Sequence, residues 1–367
     1  MSHHLTRPRK FAALAPNRQS LHKLLLDDLG VKQVAAVIGG SLGGMFVLEW
    51  GYLGLDYIRC IVPIATSSKH SAWGISWGEA QRQSIYADPK YDDGYYPYTD
   101  PPVTGLGAAR MSALLTYRSR NSFEARFGRN TPDPSKKQTI IERPRATTPS
   151  EAHLHIHNDG HKMTRKTLSR TPSDTGNPNG TGVNGSSNDS GVVAADPQFH
   201  GPQSESLVGG EKLPTSTYFS AQSYLRYQGQ KFVKRFDSNC YIAMTRKLDT
   251  HDVSRNRAAT IAEALALIQQ PTLVLGIESD GLFTFAEQQE LAEHIPHARL
   301  DKIDSQEGHD AFLLQFEQVN HSILAFLNEV LPDIMQKKGE AVVEASVGQL
   351  TKSSTFGEAE VEDITAW

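Results

Sequence analysis

The sequence predicts an α/β protein, a mostly parallel sheet flanked by helices, and three observations predict it. An apolar run from Val31 to Ile38 breaks at Gly39-Gly40-Ser41-Leu42-Gly43 and resumes with helical character through Trp50. The stretch Pro271 to Ile277 is almost continuously apolar and short, as expected of a strand buried on both faces. Good helix formers follow from Thr284 to His294, and a second strand-like stretch runs from Ala298 to Asp304. Strands alternating with helices in this way build parallel sheets.

The glycine-rich break has the spacing G-x-S-x-G between a strand and a helix. A serine on so tight a turn takes a strained backbone, and the glycines two residues before and after it are expected to make room for neighbouring backbone. Its hydroxyl then stands clear of the sheet, where a base can reach it. The first N–H groups of the following helix, that of Leu42 among them, face any negative charge that develops on a substrate carbonyl, so Leu42 is the oxyanion-hole candidate. Alone, such a string also serves simply to close a strand.

A serine hydroxyl needs a histidine to take its proton, and the histidine needs a carboxylate to fix its tautomer. Asp280 follows the strand ending at Ile277 and is the acid candidate, with Glu278 its nearest rival. His309, in Glu307-Gly308-His309-Asp310, is the base candidate, on a loop leading into a final helix expected over roughly Phe312 to Ile334. Read singly, Asp280 is an ordinary turn aspartate and His309 an ordinary helix cap. Read together, the chain order Ser41, Asp280, His309 is that of the α/β-hydrolase fold, and of neither the chymotrypsin nor the subtilisin arrangement.

Composition narrows the function further. With 38% hydrophobic residues in a chain of 367, there is material for a sizeable core, and a net charge of −4 gives no basic excess for nucleic acid. No apolar run reaches membrane-spanning length, and the basic N-terminus lacks the apolar core of a secretion signal, so a cytoplasmic protein is expected. Cys60 and Cys240 are too few and too far apart for a disulfide framework.

Five regions are expected: an N-terminal segment over 1–19, hydrolase core with the elbow over 20–71, a helical lid over 72–253, core with acid and base over 254–336, and a tail over 337–367. Within the lid, residues 130–215 are rich in Ser, Thr, Pro, Asn and Gly and read as a disordered insertion. His153, His155, His157 and His161 have ligand-like spacing, but without a supporting shell no metal is expected. The basic run Lys162 to Arg170 reads as a solvated or phosphorylated segment. Helices over Leu106–Tyr117 and Ser220–Gln228 are expected to shape a pocket and restrict water.

Beyond the elbow, several segments occur together: Leu114-Leu-Thr-Tyr-Arg-Ser, Gln222-Ser-Tyr-Leu-Arg-Tyr-Gln-Gly, Arg235-Phe-Asp-Ser-Asn, His251-Asp252-Val253, Gly308-His-Asp-Ala-Phe-Leu, and the terminal Asp363-Ile-Thr-Ala-Trp. In this set the chain resembles the homoserine O-acetyltransferases, most closely the fungal ones, over roughly 21–129 and 217–333. The resemblance implies a two-step transfer from acetyl-CoA, through an acetyl-serine on Ser41, to the hydroxyl of L-homoserine, with no bound cofactor. It carries the family's homoserine-binding arginine onto Arg110 and its amine-binding aspartate onto Asp310. A free amino acid needs a guanidinium for its carboxylate and a carboxylate for its ammonium, and Tyr117, seven residues along the helix from Arg110, can line the same pocket. By themselves, Arg110 reads as a solvated helix arginine and Asp310 as a helix N-cap. The resemblance also implies pairing of two copies through lid helices.

One departure stands out. The fold lays down several strands before its elbow, and one of their loops supplies the second oxyanion donor. Resemblance here begins only near Leu21, in a helix expected over Ser20–Leu29, so the first half of the sheet is expected to be missing. The strand before Ser41 would then have an unpaired edge. A truncated protein or a mispredicted gene start is the expected explanation, with a non-catalytic paralogue that acts as an interaction partner as the alternative. A related serine or deacetylcephalosporin O-acetyltransferase would reuse every residue named and is the alternative for the acceptor.

Overall fold

A computed structural model describes residues 17–131, 148–159, 207–208, 211–212 and 219–337. The described residues fall into two compact units, one built from those up to Gly128 and from Tyr227 onward, the other from those between Arg129 and Arg226.

The first unit begins with α1 (Asn17–Asp28), β1 (Val34–Gly40), α2 (Leu42–Gly51), β2 (Ile58–Ile64), α3 (Ala72–Tyr86), α4 (Val103–Tyr117) and α5 (Arg120–Arg126). The second unit holds α6 (Pro149–His157) and a two-stranded antiparallel ribbon, β3 (Leu207–Val208) with β4 (Glu211–Lys212). Helix α7 (Ser220–Val233) returns the chain to the first unit, which continues with α8 (Ser238–Asp249), α9 (Ile261–Leu265), β5 (Thr272–Ile277), α10 (Phe285–His294), β6 (Ala298–Ile303), α11 (Ala311–Leu314), α12 (Phe316–Val330) and α13 (Pro332–Met335).

Four parallel strands form the main sheet in the order β1-β2-β5-β6. Alternation along the inner strands distributes their side chains to two cores. Ile61 and Val274 join Val47, Leu48, Leu265 and Leu291 on one face. Cys60, Val62, Ile64, Leu273, Leu275 and Ile277 join Ala311 and Phe326 on the other. Every residue of β5 is buried, as its unbroken apolar run predicts. The elbow strand β1 is different. It pairs with β2 on one side, it has no strand partner on the other among the described residues, and its Ile38 is 44% exposed.

Helices α3, α4, α7 and α8 have a core of their own, with Ile85, Leu106, Ala109, Phe232, Tyr241 and Ile242 packed together. In the second unit Thr148 caps α6 by accepting from the Glu151 N–H at 3.2 Å, and Arg226 pairs with Asp159 at 3.0 Å.

Two expectations about local structure need correction. The final helix does not run unbroken from 312 to 334: it bends at Gln315 (φ −93°, ψ 46°) and again at Leu331, where Pro332 lacks the N–H that would continue it and instead opens α13. The insertion over 130–215 is not uniformly without structure, because the Thr148 cap and Pro149 at the first helical position start α6 within it. The remainder of that stretch apart from the β3–β4 ribbon, the basic run 162–170, the first sixteen residues and the tail beyond Lys337 lie outside the described residues.

Candidate active site

Ser41 sits between β1 and α2, at the carboxyl end of the parallel strands, with φ 57° and ψ −125°. Backbone strain of this kind persists only where the surroundings over-determine it. Here the Ser41 N–H donates to the Ile64 carbonyl at 2.9 Å, while the Ser41 carbonyl accepts from the Thr66 hydroxyl at 2.9 Å and the Met45 N–H at 3.2 Å. Serine at a helix N-cap ordinarily bonds its hydroxyl to the first turn. Ser41 makes no such bond, so its hydroxyl is left for chemistry. Leu42 is the first residue of α2, and its N–H belongs to the set that a helix cannot satisfy internally.

The two flanking glycines do not share the steric role that their spacing predicts. A Cβ on Gly39 would lie 2.7 Å from the Gly43 backbone, whereas one on Gly43 would meet nothing. Gly40 carries a demand the motif does not spell out: a Cβ there would lie 2.8 Å from Phe312 Cζ.

Asp280 lies on the turn after β5 and is buried. Its Oδ1 accepts from the Leu282 and Phe283 N–H groups at 2.8 and 3.0 Å, and its Oδ2 accepts from His309 Nδ1 at 2.8 Å. Glu278 is at the surface instead, paired with Lys302 at 3.2 Å. His309 is buried between the rings of Phe283 and Phe312, with centroids 5.3 and 5.5 Å away. Burial alone would push its pKa down, but the Asp280 carboxylate and then Asp310 outweigh it and hold the imidazole above its ordinary value. A bond from Asp280 to Nδ1 leaves Nε2 as the nitrogen that can take a proton. No hydrogen bond joins His309 to the Ser41 hydroxyl among the described residues. Phe312 links the two, in contact with the His309 ring on one side and Gly40 on the other.

Arg110 and Tyr117 lie on one face of α4, with the guanidinium 5.2 Å from the Tyr117 ring and 4.8 Å from that of Phe232. The Tyr117 ring is in turn 6.3 Å from that of His309. Asp310 is buried beside the base, and its side chain does not cap a helix. Its Oδ2 accepts from Arg118 Nε at 3.0 Å, while Arg118 Nη1 bonds to Glu307. Burial raises the Asp310 carboxyl above its usual range, and Arg118, His309 and Arg110 oppose that rise in this order.

His251, Asp252 and Val253 serve the loop after β2. His251 Nε2 donates to the Ser67 carbonyl at 2.9 Å, Asp252 bridges to Lys69, and the Val253 N–H donates to the Ser68 carbonyl at 3.0 Å. Burial pushes the His251 imidazole down to about 4. His153, His155 and His157 fall on α6, His161 lies outside the described residues, and among the described residues no group of three or more side chains is arranged to hold a metal ion.

Two residues that build the site escape sequence reasoning. Thr66 holds the elbow across 25 residues, and its one signal is a polar run placed directly after a buried strand. Arg118 reaches Asp310 across 192 residues; it stands in the segment 114–119 that carries the resemblance, but nothing local to it gives it a role.

A parallel sheet with a serine on a strained strand-to-helix turn, and an Asp–His pair on the loops after later strands, defines the α/β-hydrolase class. A family model described as "alpha/beta hydrolase fold" matches residues 16–161. The chain is 63% identical over 360 residues to a homoserine O-acetyltransferase of Emericella nidulans, covering 95% of this chain and 71% of the relative. It is 58% identical over 362 residues to that of Ascobolus immersus, covering 95% and 69%. The chain belongs to the homoserine O-acetyltransferase family. Among solved structures, it resembles in fold a homoserine O-acetyltransferase from Bacillus anthracis, with a TM-score of 0.54 at 14% identity, covering 89% of this chain and 66% of that one. The chain thus spans about 70% of the length of these curated relatives.

Proposed function

We propose that this chain moves an acetyl group from acetyl-CoA to the side-chain hydroxyl of L-homoserine, on the route to methionine. The observation that carries the reading is the Asp280–His309 pair, joined through Phe312 to the turn of a strained, uncapping Ser41, in a chain of this family. His309 takes the Ser41 proton as Oγ attacks the thioester carbonyl. The C–S bond then breaks, and CoA leaves as the thiol with the proton from His309. In the second half the homoserine hydroxyl attacks the acetyl carbon, His309 takes its proton, and the proton returns to Ser41 as the ester is released. The Leu42 N–H faces the oxyanion in both halves.

Arg110 receives the homoserine carboxylate, Asp310 its ammonium, and Tyr117 lines the pocket between them. The helical lid around α3, α4 and α8 restricts water, which favours transfer over hydrolysis. The reaction needs no resident cofactor, and the proposed setting is a cytoplasmic homodimer joined through lid helices. Among the described residues no helix is long and apolar enough to cross a membrane. A second reading, a non-catalytic relative that acts by binding, draws on the edge of β1 that has no strand partner among the described residues.

The test is CoA thiol release by the purified chain, with Ser41→Ala as the control. Serine-dependent release that requires homoserine is the expected result. Release that prefers serine or deacetylcephalosporin would reassign the acceptor, and none above the control from folded protein would favour the second reading.

A further inference from the structure

The loop that carries His309 is fastened to the end of α4 by more contacts than a surface loop needs. Gly308 has φ 72°, and a Cβ there would lie 2.8 Å from the Arg118 carbonyl carbon and 3.1 Å from the Tyr117 carbonyl oxygen, so the two backbones touch. The Ser119 hydroxyl donates to the Gln306 carbonyl, and the Ser122 hydroxyl to Glu307. At the centre is Arg118, with its side chain 3% exposed, held to Glu307 on one flank and Asp310 on the other. A buried guanidinium between two carboxylates fixes both in plane and register, which an ammonium cannot do.

Its bond uses only Oδ2 of Asp310. Among the described residues Oδ1 has no hydrogen-bond partner, and it is the oxygen left to accept from a ligand.

We propose that Arg118 is a positioning residue: it docks the 307–310 loop on α4, sets where His309 stands relative to Ser41, and presents one Asp310 oxygen to the substrate ammonium. The last part rests on the acetyl-transfer reading above. Arg118 itself touches no reacting atom.

The loop-docking part can be tested without either substrate. A fluorophosphonate probe reacts with a triad serine as Oγ forms a bond to phosphorus, fluoride leaves, and the base takes the hydroxyl proton. Labelling rates at Ser41 are compared for the parent chain, Arg118→Ala, Arg118→Lys and His309→Ala, each with its thermal unfolding curve. The expected result is labelling ~100-fold slower in Arg118→Ala, because a small misplacement of a catalytic group costs about that much. Millimolar methylguanidinium restores part of the rate, and Arg118→Lys falls between the two.

Should Arg118→Ala not fold, Arg118→Lys decides: a single cooperative transition with labelling ~10-fold below the parent supports the proposal. Labelling within about twofold of the parent in whichever variant decides overturns it, as does a loss in folded Arg118→Ala that neither methylguanidinium nor lysine relieves. A parent chain that labels no faster than His309→Ala overturns the triad reading itself, and this proposal with it. That result differs from failure of the proposal alone, in which the parent and Arg118 variants label equally fast and His309→Ala does not.

Discussion

Among the described residues five non-glycine positions have a positive φ, Ser41, Ala65, Asp92, Asp93 and Asn256, and Ser41 is the one at which that strain serves the proposed chemistry. Ser41 keeps a positive φ because Ile64, Thr66 and Met45 hold its backbone from three directions. Of these three, only Thr66 acts through a side chain, so it can be removed without touching the fold's ladder. Replacing Thr66 by the near-isosteric Val deletes one buried hydrogen bond, worth ~1 kcal/mol in stability. It is also expected to slow the reaction of Ser41 ~10-fold, since the turn can then relax. Stopped-flow labelling of Thr66→Val and Thr66→Ser distinguishes the hydroxyl from the volume: serine should keep most of the rate, and an unimpaired valine variant would refute the role.

At the scale of elements, local signals reached as far as local physics does. The elbow, the strand ending at Ile277 and the start of α10 were legible because each is set by neighbours in sequence: a glycine turn, an almost continuous apolar run, and good helix formers from Thr284, where the structure adds a Thr284–Glu287 capping box. The breaks at Gln315 and Leu331 were only half legible. Pro332 announces one of them, whereas the bend at Gln315 precedes no proline or glycine. The docking of the His309 loop on α4 was not legible at all, because its partners are about 190 residues apart in sequence. Gly308 is the tightest point of that joint. Alanine there meets both a left-handed backbone and the Arg118 backbone, so Gly308→Ala is expected to destabilise the protein by ~2–4 kcal/mol. Urea denaturation measures it, and a loss under ~1 kcal/mol would mean that the two backbones separate easily.

At the scale of the whole molecule, two buried histidines outside the triad, His251 and His70, make stability depend on pH in the acid range, against the opposite-signed contributions of His309 and Asp310, whose values are raised. His251 has a folded pKa of about 4 against 6.5 when unfolded. A depressed histidine favours the folded state fully above the unfolded value. As pH falls from 6.5 toward 4 the unfolded chain takes up a proton that the folded chain refuses, and stability is lost. His70, lowered by burial as well, adds with the same sign. A tenfold difference in proton affinity between the two states is worth ~1.4 kcal/mol, so the unfolding free energy is expected to fall by a few kcal/mol across that range. His251→Gln, which keeps an N–H for the Ser67 carbonyl without titrating, should flatten the profile. Parallel profiles for the two proteins would place the acid sensitivity elsewhere.

The adjacency of His309 and Asp310 constrains how such a site can diversify. Base and proposed amine acceptor are successive residues on one docked loop, so a change that moves one moves the other. The proposed contacts for the acceptor's carboxylate lie instead on α4, at Arg110 and Tyr117, on a helix that bears no part of the triad. A lineage acquiring a new acceptor alcohol would therefore be expected to accumulate its substitutions along that helix face and leave the 307–310 loop unaltered.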